Sequence, residues 1–430
     1  MPRCRSLSQP YDAGLSRMLM VFIATGVFFM LLPGTFFGVA NLLAISANHT
    51  PHAADAGWVQ AHGHAQIFGW LGTFILGIGY YTIPRLRSSP SPRAAAWITW
   101  ALWTAGVTIR WAVGSWPWEW RILFPLAGAL ELAAVAIFCV TVFLARPRER
   151  DGKWRTSILM ITAGGWAMVI AVAVGAWMSF VVARSGDAPV FPFDFNQRYL
   201  VLISWGFIVP LVWGFSTRWL PPLIGLKATR KSWLVPLLIA LFAGVGAALA
   251  GRLLLASVVL FATSVGFVLA LRILEPSERE PKLNGVHQAT PLFLRAAYGW
   301  LLVAAVLGIV SAAMPLPNGW AGASRHALTV GFFAVVVFCV GPRILPAYLG
   351  VQRVWSTRLM GTVLVLIHLG CAVRVVSQIL AYEGWSALAW KTLPLSAIIE
   401  MTAVALFAFN MMMTLRTGPA LPVLEPRTAP

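Results

Sequence analysis

Apolar runs of about 20 residues alternate with short polar breaks along nearly the whole chain, the spacing needed for helices to cross a hydrocarbon core of about 30 Å. Twelve runs can be placed, at about residues 17–42, 60–84, 94–114, 120–145, 156–183, 198–222, 232–252, 254–274, 291–314, 323–347, 355–381 and 387–415. The seventh and eighth are the least separated, because only Gly251-Arg252 interrupts the apolar stretch from Trp233 to Leu274. The pattern predicts an all-α membrane protein of twelve transmembrane helices joined by short connections, in one transmembrane domain. Longer polar segments are expected at 43–59, 184–197 and 275–290.

A repeat underlies the runs. Gly69 is followed fifteen positions later by Pro84, and the frame recurs as Gly206 to Pro221 and Gly331 to Pro346. The later two copies also share Arg-x-Leu-Pro at Arg218 to Pro221 and Arg343 to Pro346. Shifts of 137 and 125 residues correspond to four spans with their loops, so three groups of four helices are expected, at about 17–145, 156–274 and 291–415. The glycine-proline frame then falls on helices 2, 6 and 10. A shift of 262 lays His64-Ala65 on His326-Ala327, whereas the middle copy has Val201 there. Gly106-x-x-x-Arg110 on helix 3 matches Gly370-x-x-x-Arg374 on helix 11, and Glu131 on helix 4 matches Glu400 on helix 12.

Composition agrees with a membrane protein: 59% of residues are hydrophobic and 11% charged, against a charged fraction of about a quarter in soluble domains. The net charge of +18 would suggest nucleic acid in a soluble chain, but 24 of the 32 Lys and Arg fall in the termini or the even-to-odd connections. That is the positive-inside bias, which predicts cytoplasmic termini and accounts for the basicity without nucleic acid. Cys4, Cys139, Cys339 and Cys371 form no C-x-x-C pair, so neither a disulfide framework nor a zinc site is expected. The first run is read as a retained helix, and the last dozen residues, rich in Pro and Thr, as a disordered end.

The polar residues inside the spans carry the candidate chemistry. An arginine or acidic residue near a bilayer centre costs roughly 2.5–3.5 kcal/mol, so Arg110, Arg374, Glu131 and Glu400 need compensation. Either two Arg–Glu pairs form inside the bundle, or these groups face a cofactor or a path. His62 and His64, two apart, point about 200° from each other on a helix. If His64 faces His326 across the repeat interface, the two make axial ligands for a haem iron, and His62 points to a second site. Arg110, Arg325 and Arg374 are then the natural partners of haem propionates. His368, Cys371 and Arg374 share one side of helix 11, where imidazole beside thiol could hold copper. His49, His52 and His287 read as solvated helix-end residues, and most of the 21 tryptophans as an interfacial belt, with Trp70 and Trp205 inside helices.

AHGHAQIFGW at 61–70 and RHALTVG at 325–331 resemble the two signature segments of the NnrS membrane proteins. The resemblance implies a bacterial inner-membrane protein containing haem, of b type, and copper, connected with tolerance of nitric oxide or a related diatomic. The three-times-four plan also resembles subunit I of haem-copper oxidases and nitric oxide reductases, where histidines of helices 2 and 10 hold a low-spin haem. Those proteins place copper ligands on helices 6 and 7, and neither 198–222 nor 232–252 contains a histidine. A dioxygen-reducing centre is therefore not implied. Two other readings stand beside the haem protein: a divergent oxidase- or reductase-like catalytic subunit served by a respiratory electron donor, and a metal-free transporter whose Arg and Glu line a polar path.

Overall fold

A computed structural model describes residues 12–416 except 87–88, 143, 145–154, 316–317, 349 and 352. Cys4 and the Pro- and Thr-rich end from 417 lie outside the described residues. Twelve helices of 19 residues or more are present among those described: α1 (Ala13–Ala47), α2 (Ala56–Arg85), α3 (Arg93–Ser115), α4 (Trp120–Val142), α5 (Thr156–Ser185), α6 (Phe193–Ile224), α7 (Lys231–Leu249), α8 (Leu253–Leu271), α9 (Thr290–Ala313), α10 (Gly319–Tyr348), α11 (Thr357–Tyr382) and α12 (Ala389–Arg416). Eleven of them are long and apolar enough to span a membrane. The exception, α3, has the length, but Arg110 and four tryptophans lower its hydropathy.

The thinnest break in the apolar pattern is a tight turn, in which Gly251 takes φ +79° between α7 and α8. Helix α1 extends beyond the expected run to Ala47, so the segment before α2 shortens to a turn and a single 3-10 turn at Pro51–Ala53. Asp55 starts α2 by accepting hydrogen bonds from the backbone N–H groups of Gly57 and Trp58, which satisfies donors that a helix start leaves free.

Helices 3 and 4, 7 and 8, and 11 and 12 pair along their lengths, and α12 packs on α1, closing the bundle. The helices carrying the glycine-proline frame lie innermost. In the most apolar 18 residues of α2, α6 and α10, 89%, 67% and 61% are buried, against 33–50% in the other eight apolar spans. Aromatic contacts tie the inner helices together: Phe68 meets Phe207, Trp70 meets Phe338, and Tyr81 stacks on Tyr348 at 4.2 Å. Helices in lipid gain no hydrophobic drive by meeting each other, so such packing and interhelical hydrogen bonds hold them.

Each inner helix widens into a π-helical segment, at Ala65–Gly72, Leu202–Ile208 and Ala327–Ala334. The segments start directly after His64, Val201 and His326, at intervals of 137 and 125 residues. A fourth, Met30–Phe36 in α1, surrounds Pro33, which has no N–H for the helical ladder. Such wide turns leave carbonyls off the α-helical pattern and recur at functional sites.

Candidate functional site

The π turn of α1 orders the first histidine. The Thr35 hydroxyl donates to the Met30 carbonyl (2.8 Å), and Gln66 Nε2 donates to Thr35 Oγ1 (3.0 Å). His62, one turn before Gln66, places Nδ1 2.8 Å from the Gly34 carbonyl. A carbonyl can only accept, so Nδ1 carries the proton, and the neutral ring keeps its lone pair on Nε2. The ring lies against Gly38, where a Cβ would stand 2.6 Å from its Cε1. Gly38→Leu is therefore expected to displace the imidazole. If the ring is a metal ligand, affinity should fall by roughly the 10–100-fold typical of a lost supporting contact, read by cofactor titration of the purified variant.

His326 is held in the same way. Its Nδ1 lies 2.9 Å from the Gly322 carbonyl, so Nε2 again keeps its lone pair. The side chain of Gln378 packs directly on Gly322, and the Cys371 thiol points at the His326 carbonyl (3.8 Å). His62 and His326 are within electrostatic reach of each other, and both are within that of Arg374. Arg374 is 6% exposed, and its Nε and Nη1 are sealed without a hydrogen-bond partner. Both histidines keep accessible surface although α2 is the most enclosed span, and nothing lies within 4 Å of a Cβ placed on Gly63.

The other two nominated histidines are committed elsewhere. His64 Nε2 is 2.8 Å from Glu131 Oε1, with side-chain exposures of 8% and 6%. The carboxylate accepts, so this nitrogen is the donor and has no lone pair to offer. His64 does not face His326, and His62 is the α2 histidine near it. His62 and His64 do diverge as the helix geometry requires, one toward α1 and the other toward α4. His368 accepts at Nδ1 from Trp300 Nε1–H (3.0 Å) and stacks on Phe293. Its Nε2 then carries the proton, while the Cys371 thiol is turned to His326, so the structure assembles no copper pair from these two. Among the described residues no group of three or more His, Cys, Asp or Glu side chains could hold a metal ion.

The alternative of two Arg–Glu pairs does not appear: among the described residues neither arginine forms an ion pair with its neighbouring glutamate. Arg110 donates from Nη1 to Ser179 Oγ (2.7 Å) and packs against the rings of Phe124 and Phe191, 3.9 and 4.2 Å from their centroids. Glu131 is taken by His64. Glu400 Oε1 is sealed without a partner, although its charge is felt at Arg374. The glycine one turn before each arginine makes room for the glutamate: a Cβ on Gly106 would stand 2.8 Å from Glu131 Cγ, and one on Gly370 2.6 Å from Glu400 Cγ. Arg325 donates from Nη1 to Gln197 Oε1 (2.9 Å), linking the start of α10 to α6. The supporting residues Gly34, Thr35, Gln66 and Gly38 escaped sequence reasoning, although Pro33-Gly34-Thr35 within an apolar run marks a distorted turn.

These features define a multi-pass helical membrane protein with the fold of the haem-copper terminal oxidases. A cryo-EM structure of a haem-copper terminal oxidase dimer superposes with a TM-score of 0.66 at 11% identity, covering 97% of this chain and 85% of that one. No curated protein matches the sequence. The chain belongs to the NnrS protein family, whose profile matches residues 19–417.

Proposed function

We propose that this chain is a haem protein of the bacterial inner membrane, in which His62 on α2 and His326 on α10 would hold a haem of b type. The observation that carries the reading is the hydrogen-bond pattern. Of the four histidines inside the spans that the sequence nominates, only these two have Nδ1 tied to a carbonyl and Nε2 left free, and they are close to each other. Haem iron needs only two such nitrogens, so the lack of a larger ligand cluster does not weigh against it. Arg374, within electrostatic reach of both imidazoles, would supply positive charge toward the propionates. The space beside Gly63 favours a bulky occupant.

Within this reading the Gly34 and Gly322 carbonyls orient the two imidazoles and make them better donors to a metal. Gln66 and Thr35 brace the α1 turn on which His62 rests, and Arg325 fixes the start of α10 through Gln197. A haem held by these two imidazoles would supply a one-electron centre with no open iron position, so the role proposed for it is electron transfer. The family membership favours a role in nitric oxide tolerance, with electrons from a respiratory donor. The π segments recurring at intervals of 137 and 125 residues support three groups of four helices in one transmembrane domain, and the charge distribution supports cytoplasmic termini. Copper at His368 and Cys371 is not part of the proposal. Purified protein produced with ample haem is expected to show a Soret band and a b-type reduced-minus-oxidised difference spectrum. A wild-type protein without a Soret band would overturn the assignment and favour the metal-free transporter.

A further inference from the structure

The polar cluster around Arg110 is separate from the pair of free imidazoles, and the haem reading does not use it. Arg110 is 8% exposed, and the adjoining rings of Phe124 and Phe191, themselves in edge contact at 5.8 Å, pack against its guanidinium. Its hydrogen bond to Ser179 uses Nη1 alone. The opposite edge, Nε and Nη2, has no partner among the described residues, yet unlike the sealed atoms of Arg374 it still meets open space. That edge carries two parallel N–H bonds, the arrangement that matches two oxygens of one planar anion.

Tyr199 adds a third donor. It is 7% exposed, and its hydroxyl has no hydrogen-bond partner among the described residues. The hydroxyl is directed across α5, where a Cβ on Gly175 would come within 2.6 Å of it, and the Gly175 carbonyl accepts from Ser179 (2.8 Å). Tyr199 and Glu131 are both within electrostatic reach of Arg110. Glu131 is the one acidic group of the cluster, and its Oε1 already answers His64. The guanidinium is left buried without a direct ion pair, a costly state that a small anion would relieve.

We propose that Arg110 and Tyr199 form a second binding site, for a small planar monovalent oxyanion. The guanidinium edge takes two of its oxygens, the tyrosine hydroxyl donates a further bond, and the rings of Phe124 and Phe191 supply an apolar wall beside the guanidinium. The site does not depend on haem. Nitrite and formate are suitable probes, being planar and singly charged, and chloride is the spherical control.

The test is calorimetric titration of the full-length protein in lipid nanodiscs, alongside the His62→Ala/His326→Ala protein. Nitrite and formate are expected to bind saturably and compete with each other in both proteins, at least about ten-fold more tightly than chloride. Arg110→Lys keeps the charge but loses the fork, and should weaken binding about ten-fold or more. Tyr199→Phe should weaken it several-fold, and it decides the matter if Arg110→Lys does not fold. Three results would overturn the proposal: no saturable binding in the wild type, which means the space holds water only; binding that vanishes in the double histidine variant, which places the anion at the haem site; or equal affinity in Tyr199→Phe.

Discussion

His62→Ala is expected to abolish haem retention, whereas His64→Ala should leave the protein haem-loaded. The two residues lie two apart on the same helix, and both are histidines inside a span, so composition alone forecasts equal effects. The hydrogen bonds forecast opposite ones. Losing a supporting partner of a metal ligand costs roughly 10–100-fold in affinity, and losing the ligand itself should cost more. Haem per protein after purification, with the reduced-minus-oxidised spectrum, measures this directly. His326→Ala should behave like His62→Ala. A His64→Ala protein that loses its haem while His62→Ala keeps it would reverse the ligand assignment.

The architecture was largely legible in the sequence, because helix length in a membrane is set by bilayer thickness and the apolar runs record it. The uncertain Gly251-Arg252 break was correctly placed, since a glycine in a left-handed turn was available to make it. The proposed pairing of His62 with His326 was not legible, for a geometric reason. A repeat shift matches equivalent positions, and it therefore lays His64 on His326. Copies running in the same sense around a closed bundle meet head to tail, and in such heterologous contacts equivalent residues do not face each other. On the repeat reading proposed above, His326 looks from the third group toward the first, where it meets a different residue of α2. His64 looks onward toward the second group, beside Phe68 and the Arg110 cluster.

The same geometry explains why two matched glutamates have different partners. The sequence suggested that each neutralises the arginine on the preceding helix, because an intramembrane carboxylate without a cation is costly. In the first group a histidine reaches Glu131 instead, and Arg110 packs against phenyl rings and bonds to Ser179. In the third group His326 has turned to the Gly322 carbonyl, so Glu400 retains an unpartnered oxygen close to Arg374. Which donor a carboxylate meets depends on helix phase just beyond a π turn, and that phase cannot be read from spacing.

Unequal destabilisation should follow. Glu131→Leu removes the acceptor of His64 and the one carboxylate near Arg110, where all three side chains are more than nine-tenths buried. Leaving a buried donor without its acceptor costs about 1–3 kcal/mol, and more beside a charged group, a sizeable part of the 5–15 kcal/mol typical of a folded protein. Glu400→Leu has no hydrogen bond to lose at Oε1, but it also removes the carboxylate whose charge reaches Arg374, so it should destabilise less than Glu131→Leu. Thermal unfolding of the two variants in the same detergent, with haem content matched, measures the difference. Comparable losses in both would mean that Glu400 is paired as firmly as Glu131. In that case the first and third groups would have kept the same internal ion pair, and the asymmetry that leaves His326 free for a metal would lose its support.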